Sequence, residues 1–191
     1  EVEKMKYDNK FWRKANKFIP SGNLLISKNP DYLLPNLWPT YFSKSKGYNV
    51  WDLNNKKYKD IFFGVGTNIL GYNNKFIDNA IIKSIMKGNM SSLNCYEEVQ
   101  LAEKLIQMHP KMDMAKFART GGEANSIAIR IARAATGNES IAICGYHGWH
   151  DWYLAANLKG KNNLNNHLLK GLSIEGVPRI LRNTVFSFEY N

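Results

Sequence analysis

The 191-residue chain is long enough for one sizeable domain, or for a core with a small satellite. Its 44% hydrophobic and 22% charged content is that of a soluble globular protein and excludes disordered and fibrous classes. The net charge of +10 admits a nucleic-acid partner, but the basic residues are scattered among asparagines, and the densest knot, NNKKYK at 54–59, reads more simply as a solvated hairpin turn.

No apolar run approaches membrane-spanning length, and the opening stretch EVEKMKYDNKFWRKANKF is charged and interrupted, unlike a signal peptide. A cytoplasmic chain with no membrane and no nucleic-acid partner is therefore expected. Cys95 and Cys144 lie far apart and outside any metal-ligand spacing, which predicts buried, reduced thiols.

Residues 1–46 mix aromatics, prolines and basic residues, with Pro20, Pro30, Pro35 and Pro39 punctuating the run, and read as an arm without a core of its own. GYNVWDLNNKKYKDIFF then alternates apolar and polar residues on both sides of Asn54-Asn55, a hairpin pattern. The stretch GVGTNILGYNN fails as a dinucleotide fingerprint, because Ile69 stands where the third glycine belongs, and reads as a tight loop. Helical spacing recurs over 75–87, stopping at Gly88, and over 97–109, where acids open the helix and His109-Pro110 ends it.

From Met112 the pattern predicts a short strand at 114–118 (MAKFA), an Ala- and Ile-rich helix over 123–136 closed by Gly137, and a second strand at 140–144 (SIAIC). That order is a right-handed βαβ unit with a parallel pair, and hence an α/β fold.

Thr120, Gly121, Gly122 and Glu123 open this last helix. A Thr cap with Glu three residues on is a capping box and accounts for two of the four. Two glycines at the turn from strand to helix let backbone N–H groups approach an external group closely, at the end where the helix dipole favours an anion. On spacing alone the cap and the phosphate cradle stand level. Both this turn and the loop 145–151 follow a strand, and in a parallel sheet ligands sit beyond the carboxyl ends of strands. The loop carries Tyr146, His147, Trp149, His150 and Asp151, followed by Trp152, a set suited to stacking on a flat aromatic ligand. His147 and His150 are three apart with Asp151 adjacent, but no further metal ligand stands at recognisable spacing and Gly148 weakens any helix that would align the histidines, so no metal is expected. Buried structural aromatics and histidines are the competing reading.

RTGGEANSIAIRIARAATG followed by YHG resembles the phosphate turn and ring-stacking loop of class III aminotransferases, most nearly the branch containing glutamate-1-semialdehyde 2,1-aminomutase. VWDLNNKKYKDIFFGVGTNILGY and EEVQLAEKLIQMHP extend the resemblance over most of 47–150. It implies the amino-terminal part of a fold-type I transferase. Residues 1–46 would be the arm, 47–74 the hairpin and glycine-rich loop of the small domain, and 75–191 the first part of a large domain with a mainly parallel sheet. It also implies pyridoxal 5′-phosphate as cofactor, held by Thr120, Gly121 and Gly122 at the phosphate, with Tyr146 on the ring and His147 beside it. A small-molecule amino donor, a carbonyl acceptor and a homodimer complete the expectation. The Schiff-base lysine and the acidic partner of the pyridine nitrogen come later in the family's chains than any residue here, so the catalytic residue is expected outside this chain. The chain alone is expected to be inactive, and an inactive fragment serving as a binding or interaction protein is the alternative.

Overall fold

The computed structural model describes residues 6–88, 91–160 and 162–191, so the first five residues of the expected arm lie outside the described part. The chain divides into two compact units, Glu1–Asn94 and Cys95–Asn191.

The first unit opens with helix α1 (Lys6–Phe18), two single 3-10 turns and the short helix α2 (Pro30–Leu33). Asn29 caps α2 by accepting from the Asp31 N–H at 2.9 Å. Where burial is described in 10–41, only Gly22 and Pro30 are buried. Gly22 is required there, because its φ is +73° and a Cβ would fall 2.6 Å from the Trp12 ring.

Strands β1 (Phe42–Lys46), β2 (Asn49–Asp52) and β3 (Lys57–Lys59) form an antiparallel sheet in that order. The predicted hairpin is β2–β3, with Asn55 in the left-handed region. Buried Asp52 organises its turn: Oδ1 accepts from the N–H groups of Asn54 (2.8 Å) and Lys56 (2.9 Å), and Oδ2 from the Tyr58 hydroxyl (3.0 Å). Two lysines of the charged knot stand over rings, Lys57 5.6 Å from the Trp51 ring centre and Lys56 5.4 Å from that of Tyr58, and Lys44, which pairs with Trp51 from the other side, stands 4.9 Å from the same indole. Strand β1 was not foreseen, because FSKSK has little β propensity and its pairing comes from the hairpin beside it.

The glycine-rich segment is a tight loop, as expected. Asp60 holds it, with Oδ1 accepting from the Phe62 and Phe63 N–H groups and Oδ2 from the Tyr72 hydroxyl at 2.7 Å. Burial works against the Asp60 charge, yet these hydrogen bonds outweigh it and keep its carboxyl below the usual range. Burial, the same hydrogen bond and the Asp60 charge push Tyr72 up to about 12. Helix α3 (Lys75–Met86) follows, capped by Asn74 and ended at Gly88, whose φ is +109°.

The second unit begins with α4 (Tyr96–Met108), opened by Glu97 and Glu98. Cys95, at its N-cap, is exposed and not buried as predicted, because it sits outside the helix face and donates to Glu97 at 2.8 Å. Cys144 is partly buried, and both thiols are free.

No strand forms over 114–118, contrary to the expectation. Met114 is 90% exposed, and a strand exists only through a ladder partner. The parallel pair is instead β4 (Ile141–Ile143) with β5 (Val185–Ser187), in register Ile141↔Val185 to Ile143↔Ser187. Between 118 and β4 runs α5 (Gly121–Thr136), closed by Gly137 in the left-handed conformation, as the pattern requires.

The core of this unit lies against the pair. Ile143, Val185, Tyr153, Ala155, Leu158, Leu164 and Val177 are buried together. Tyr153 opens into it from the short helix α6 (Asp151–Leu154), and the following 3-10 turn supplies Ala155 and Leu158. Asn157, also buried, fastens the polar segment after it: its Oδ1 accepts from the Leu164 N–H at 3.0 Å and its Nδ2 donates to the Leu172 carbonyl at 3.3 Å.

Candidate functional site

The amino end of α5 is built by its own sequence. Thr120 is extended (φ −135°, ψ 156°) and its Oγ1 accepts from the Glu123 N–H at 3.2 Å, which is the cap half of the predicted box. The return half is shifted by one residue, since Glu123 Oε2 accepts from the Arg119 N–H at 2.9 Å and not from Thr120. Two consequences matter for an anion. With its oxygen accepting, the Thr120 hydroxyl keeps its proton to donate outward. The first-turn N–H groups of Gly121 and Gly122 have no intrahelical acceptor, and sixteen residues of aligned peptide dipole stand behind them. Glu123 opposes an anion by charge, although its carboxylate is turned back onto Arg119.

The two glycines differ. A Cβ on Gly121 would meet nothing within 4 Å, so open space lies beside that residue. A Cβ on Gly122 would fall 2.7 Å from Nε2 of His150, 3.1 Å from its Cδ2 and 3.3 Å from its Cε1. Space at 122 is already taken by a side chain of the aromatic loop.

The structure therefore brings the turn and the loop together. Besides the His150 contact, Asn125 Nδ2 donates to the His147 carbonyl at 3.3 Å, and Ser126 Oγ lies 2.9 Å from His150 Nδ1 and 3.1 Å from the Trp152 Nε1–H that donates to it. Gly148, with φ +111°, passes Gly122 closely, its would-be Cβ 3.7 Å from the Gly122 Cα.

Tyr146 is 37% exposed, and its ring stands edge-on to fully buried Tyr153, with centroids 5.8 Å apart and planes at 83°. Tyr153 gives it a fixed footing through an O–H bond to the Gly145 carbonyl at 3.3 Å. Burial and the neighbouring Tyr146 raise the Tyr153 pKa, so this phenol stays neutral through the physiological range. The start of the loop is pinned from the other side, where the Gly145 N–H donates to His167 Nδ1 at 2.7 Å.

His147 points inward. Its Nε2 donates to the Cys144 carbonyl at 2.9 Å, which fixes the proton on that nitrogen, and its ring forms a three-ring cluster with Trp152 and Tyr153. Trp149 is 72% exposed and stacks at a tilt on His150. The two histidines thus serve different partners.

Ser126, Asn125, Tyr153 and His167 were missed in the sequence. The signal for the first two was present: Asn125-Ser126 is a polar pair in an otherwise Ala- and Ile-rich stretch, one turn along from Gly121-Gly122 and so on the same helix face.

Residues 35–184 match the family described as aminotransferase class-III. Among curated proteins, the chain is 34% identical over 181 residues to the 3-aminobutyryl-CoA aminotransferase of Cloacimonas acidaminovorans, covering 94% of this chain and 39% of that protein. It is 32% identical over 189 residues to the glutamate-1-semialdehyde 2,1-aminomutase of Nitrosopumilus maritimus, covering 96% and 42%. Among solved structures, it superposes with a TM-score of 0.78 and 26% identity on the FumI protein of Sphingopyxis sp. MTA144 in its PLP internal aldimine form, over 97% of this chain and 41% of that one. An omega-transaminase from Sphaerobacter thermophilus, at 23% identity and a TM-score of 0.79, shares the fold. The chain spans about two fifths of the length of the curated relatives it matches.

Proposed function

The chain belongs to the class-III aminotransferase family, and from that premise we propose that the whole protein moves an amino group between a small-molecule donor and a carbonyl acceptor, with pyridoxal 5′-phosphate bound at the amino end of α5. The observation that carries this reading is the junction itself: a helix start with outward N–H groups and open space at Gly121, packed against a loop that presents a half-exposed tyrosine.

When bound, pyridoxal phosphate supplies an electron sink for the carbon that carries the amino group. This chain's own residues bind and orient. The N–H groups of Gly121 and Gly122 and the Thr120 hydroxyl would hold the phosphate. Tyr146, braced edge-on by Tyr153, would supply the aromatic face against the cofactor ring. His147, hydrogen-bonded to its own loop, shapes the neighbouring wall. A Schiff-base lysine is not among the residues assigned here, whose work is to bind and orient. Tyr146 and the phosphate turn serve an aminotransferase and an aminomutase alike, and a keto-acid intermediate, an amino sugar or glutamate-1-semialdehyde suits them equally. A cytoplasmic homodimer is the assembly we propose, and no helix among the described residues is long and apolar enough to cross a membrane.

The test is a titration of the protein with pyridoxal 5′-phosphate, followed by Tyr and Trp fluorescence, with inorganic phosphate as competitor. Saturable quenching that phosphate reverses and Gly121→Asp abolishes supports the site. Quenching indifferent to phosphate and to Gly121→Asp refutes it.

A further inference from the structure

Glycine at 122 is usually read as clearance for a bound group. The geometry around it points elsewhere. The Nε2 edge of the His150 imidazole occupies the place where a side chain at 122 would begin, with the three ring atoms of that edge at 2.7, 3.1 and 3.3 Å from the would-be Cβ. The opposite edge is tied down, Nδ1 lying 2.9 Å from Ser126 Oγ.

Ser126 is shared three ways, by Gly122 O at 2.8 Å, Trp152 Nε1 at 3.1 Å and His150 Nδ1. Trp152 can only donate and the carbonyl can only accept, while a hydroxyl has one proton. With that proton on the Gly122 carbonyl, His150 donates from Nδ1 and turns an unprotonated Nε2 to the first turn of α5. Ser126 thus bridges the Gly122 carbonyl and the ring that rests on the Gly122 Cα, a closed clamp on one residue of the helix start.

We propose that His150 is a positioning residue for the anion site, and that Gly122 lacks a side chain to admit His150, while Gly121 alone supplies clearance for the bound phosphate. The inference rests on the phosphate reading given above. It assigns His150 a role through Gly122 and not through contact with the ligand. The clamp fixes the direction of the first-turn N–H groups, and ordered donors bind an anion more tightly than donors that must be ordered on binding.

A double-mutant cycle decides it, with inorganic phosphate as the probe, dissociation constants from equilibrium dialysis and folding followed by circular dichroism. In the wild-type background Gly122→Ala forces the ring out or the turn aside and weakens phosphate binding about tenfold or more. His150→Ala alone weakens it severalfold with the helix content unchanged, and His150→Gln, which keeps a polar tip, recovers part of the loss. In the His150→Ala background Gly122→Ala has no further effect. If Gly122→Ala costs about the same factor in both backgrounds, the space belongs to the ligand and the inference falls. Should Gly122→Ala alone fail to fold, His150→Ala against the double variant still decides, since equal constants support the clamp and a tenfold difference overturns it. Wild-type protein that shows no saturable phosphate binding sinks the phosphate site and this inference with it, whereas binding with equal losses in both backgrounds sinks this inference alone.

Discussion

Replacing Asn157 by alanine removes a buried side chain that fastens the segment after α6 to the core of the second unit. Asn157 is 2% exposed, and its amide serves two backbone groups, the Leu164 N–H at 3.0 Å and the Leu172 carbonyl at 3.3 Å. Leu164 itself is fully buried, so no water replaces the lost acceptor at that amide. A buried group left without its partner costs about 1–3 kcal/mol. The longer Leu172 bond belongs at the low end of that range, which puts the expected loss at about 2–4 kcal/mol. The same segment carries His167, whose Nδ1 accepts from the Gly145 N–H at the start of the aromatic loop, so the loss extends to the footing of Tyr146. Urea denaturation followed by tryptophan fluorescence should show a lower midpoint with an unchanged slope. A destabilisation under about 0.5 kcal/mol, the range of an ordinary surface substitution, would refute the claim that this amide anchors the segment.

Three further outcomes are expected. Gly121→Ala should leave stability within about 1 kcal/mol of wild type, because a Cβ there meets nothing and alanine is the better helix former, yet it should weaken phosphate binding, as dialysis would show. The Asp60–Tyr72 pair gives stability two pH limits: Tyr72, raised to about 12, contributes fully below its ordinary value near 10 and loses that contribution as the pH rises from there to about 12, while Asp60, lowered, contributes above about pH 4 and loses it as the pH falls through its folded value. Urea midpoints against pH should show the alkaline limit in the wild type and lack it in Tyr72→Phe. At Cys95 the hydrogen bond to Glu97 raises the thiol pKa, so Glu97→Gln should speed alkylation of this exposed thiol at neutral pH, read by mass spectrometry.

Much of this was legible in the chain. Helices α3, α4 and α5 each carried their stop or start signal locally, in Gly88, in Glu97-Glu98 with His109-Pro110, and in Thr120 with Gly137, and they form within one or two residues of the expected ends. The hairpin at 49–59 had its alternation and its Asn-Asn turn. What could not be read was pairing. MAKFA has the composition of a strand, but β4 pairs with β5, forty-odd residues downstream, and no local signal says which edge a short apolar run will take. At the candidate site the residue types were plain and their division of labour was not. Thr120, Gly121, Gly122, Tyr146 and His147 stand at one junction, but that Gly122 faces a histidine while Gly121 faces open space depends on a contact between residues 122 and 150 that spacing does not reveal.

The central claim is that the amino end of α5 is a phosphate site. The most direct measurement is the dissociation constant of inorganic phosphate for wild type and for Gly121→Asp, taken side by side with circular dichroism to show that both are folded. The account predicts saturable binding by the wild type and none by the variant, whose carboxylate stands in the open space beside the first-turn N–H groups. Equal binding by the two folded proteins, or none by either, would contradict it.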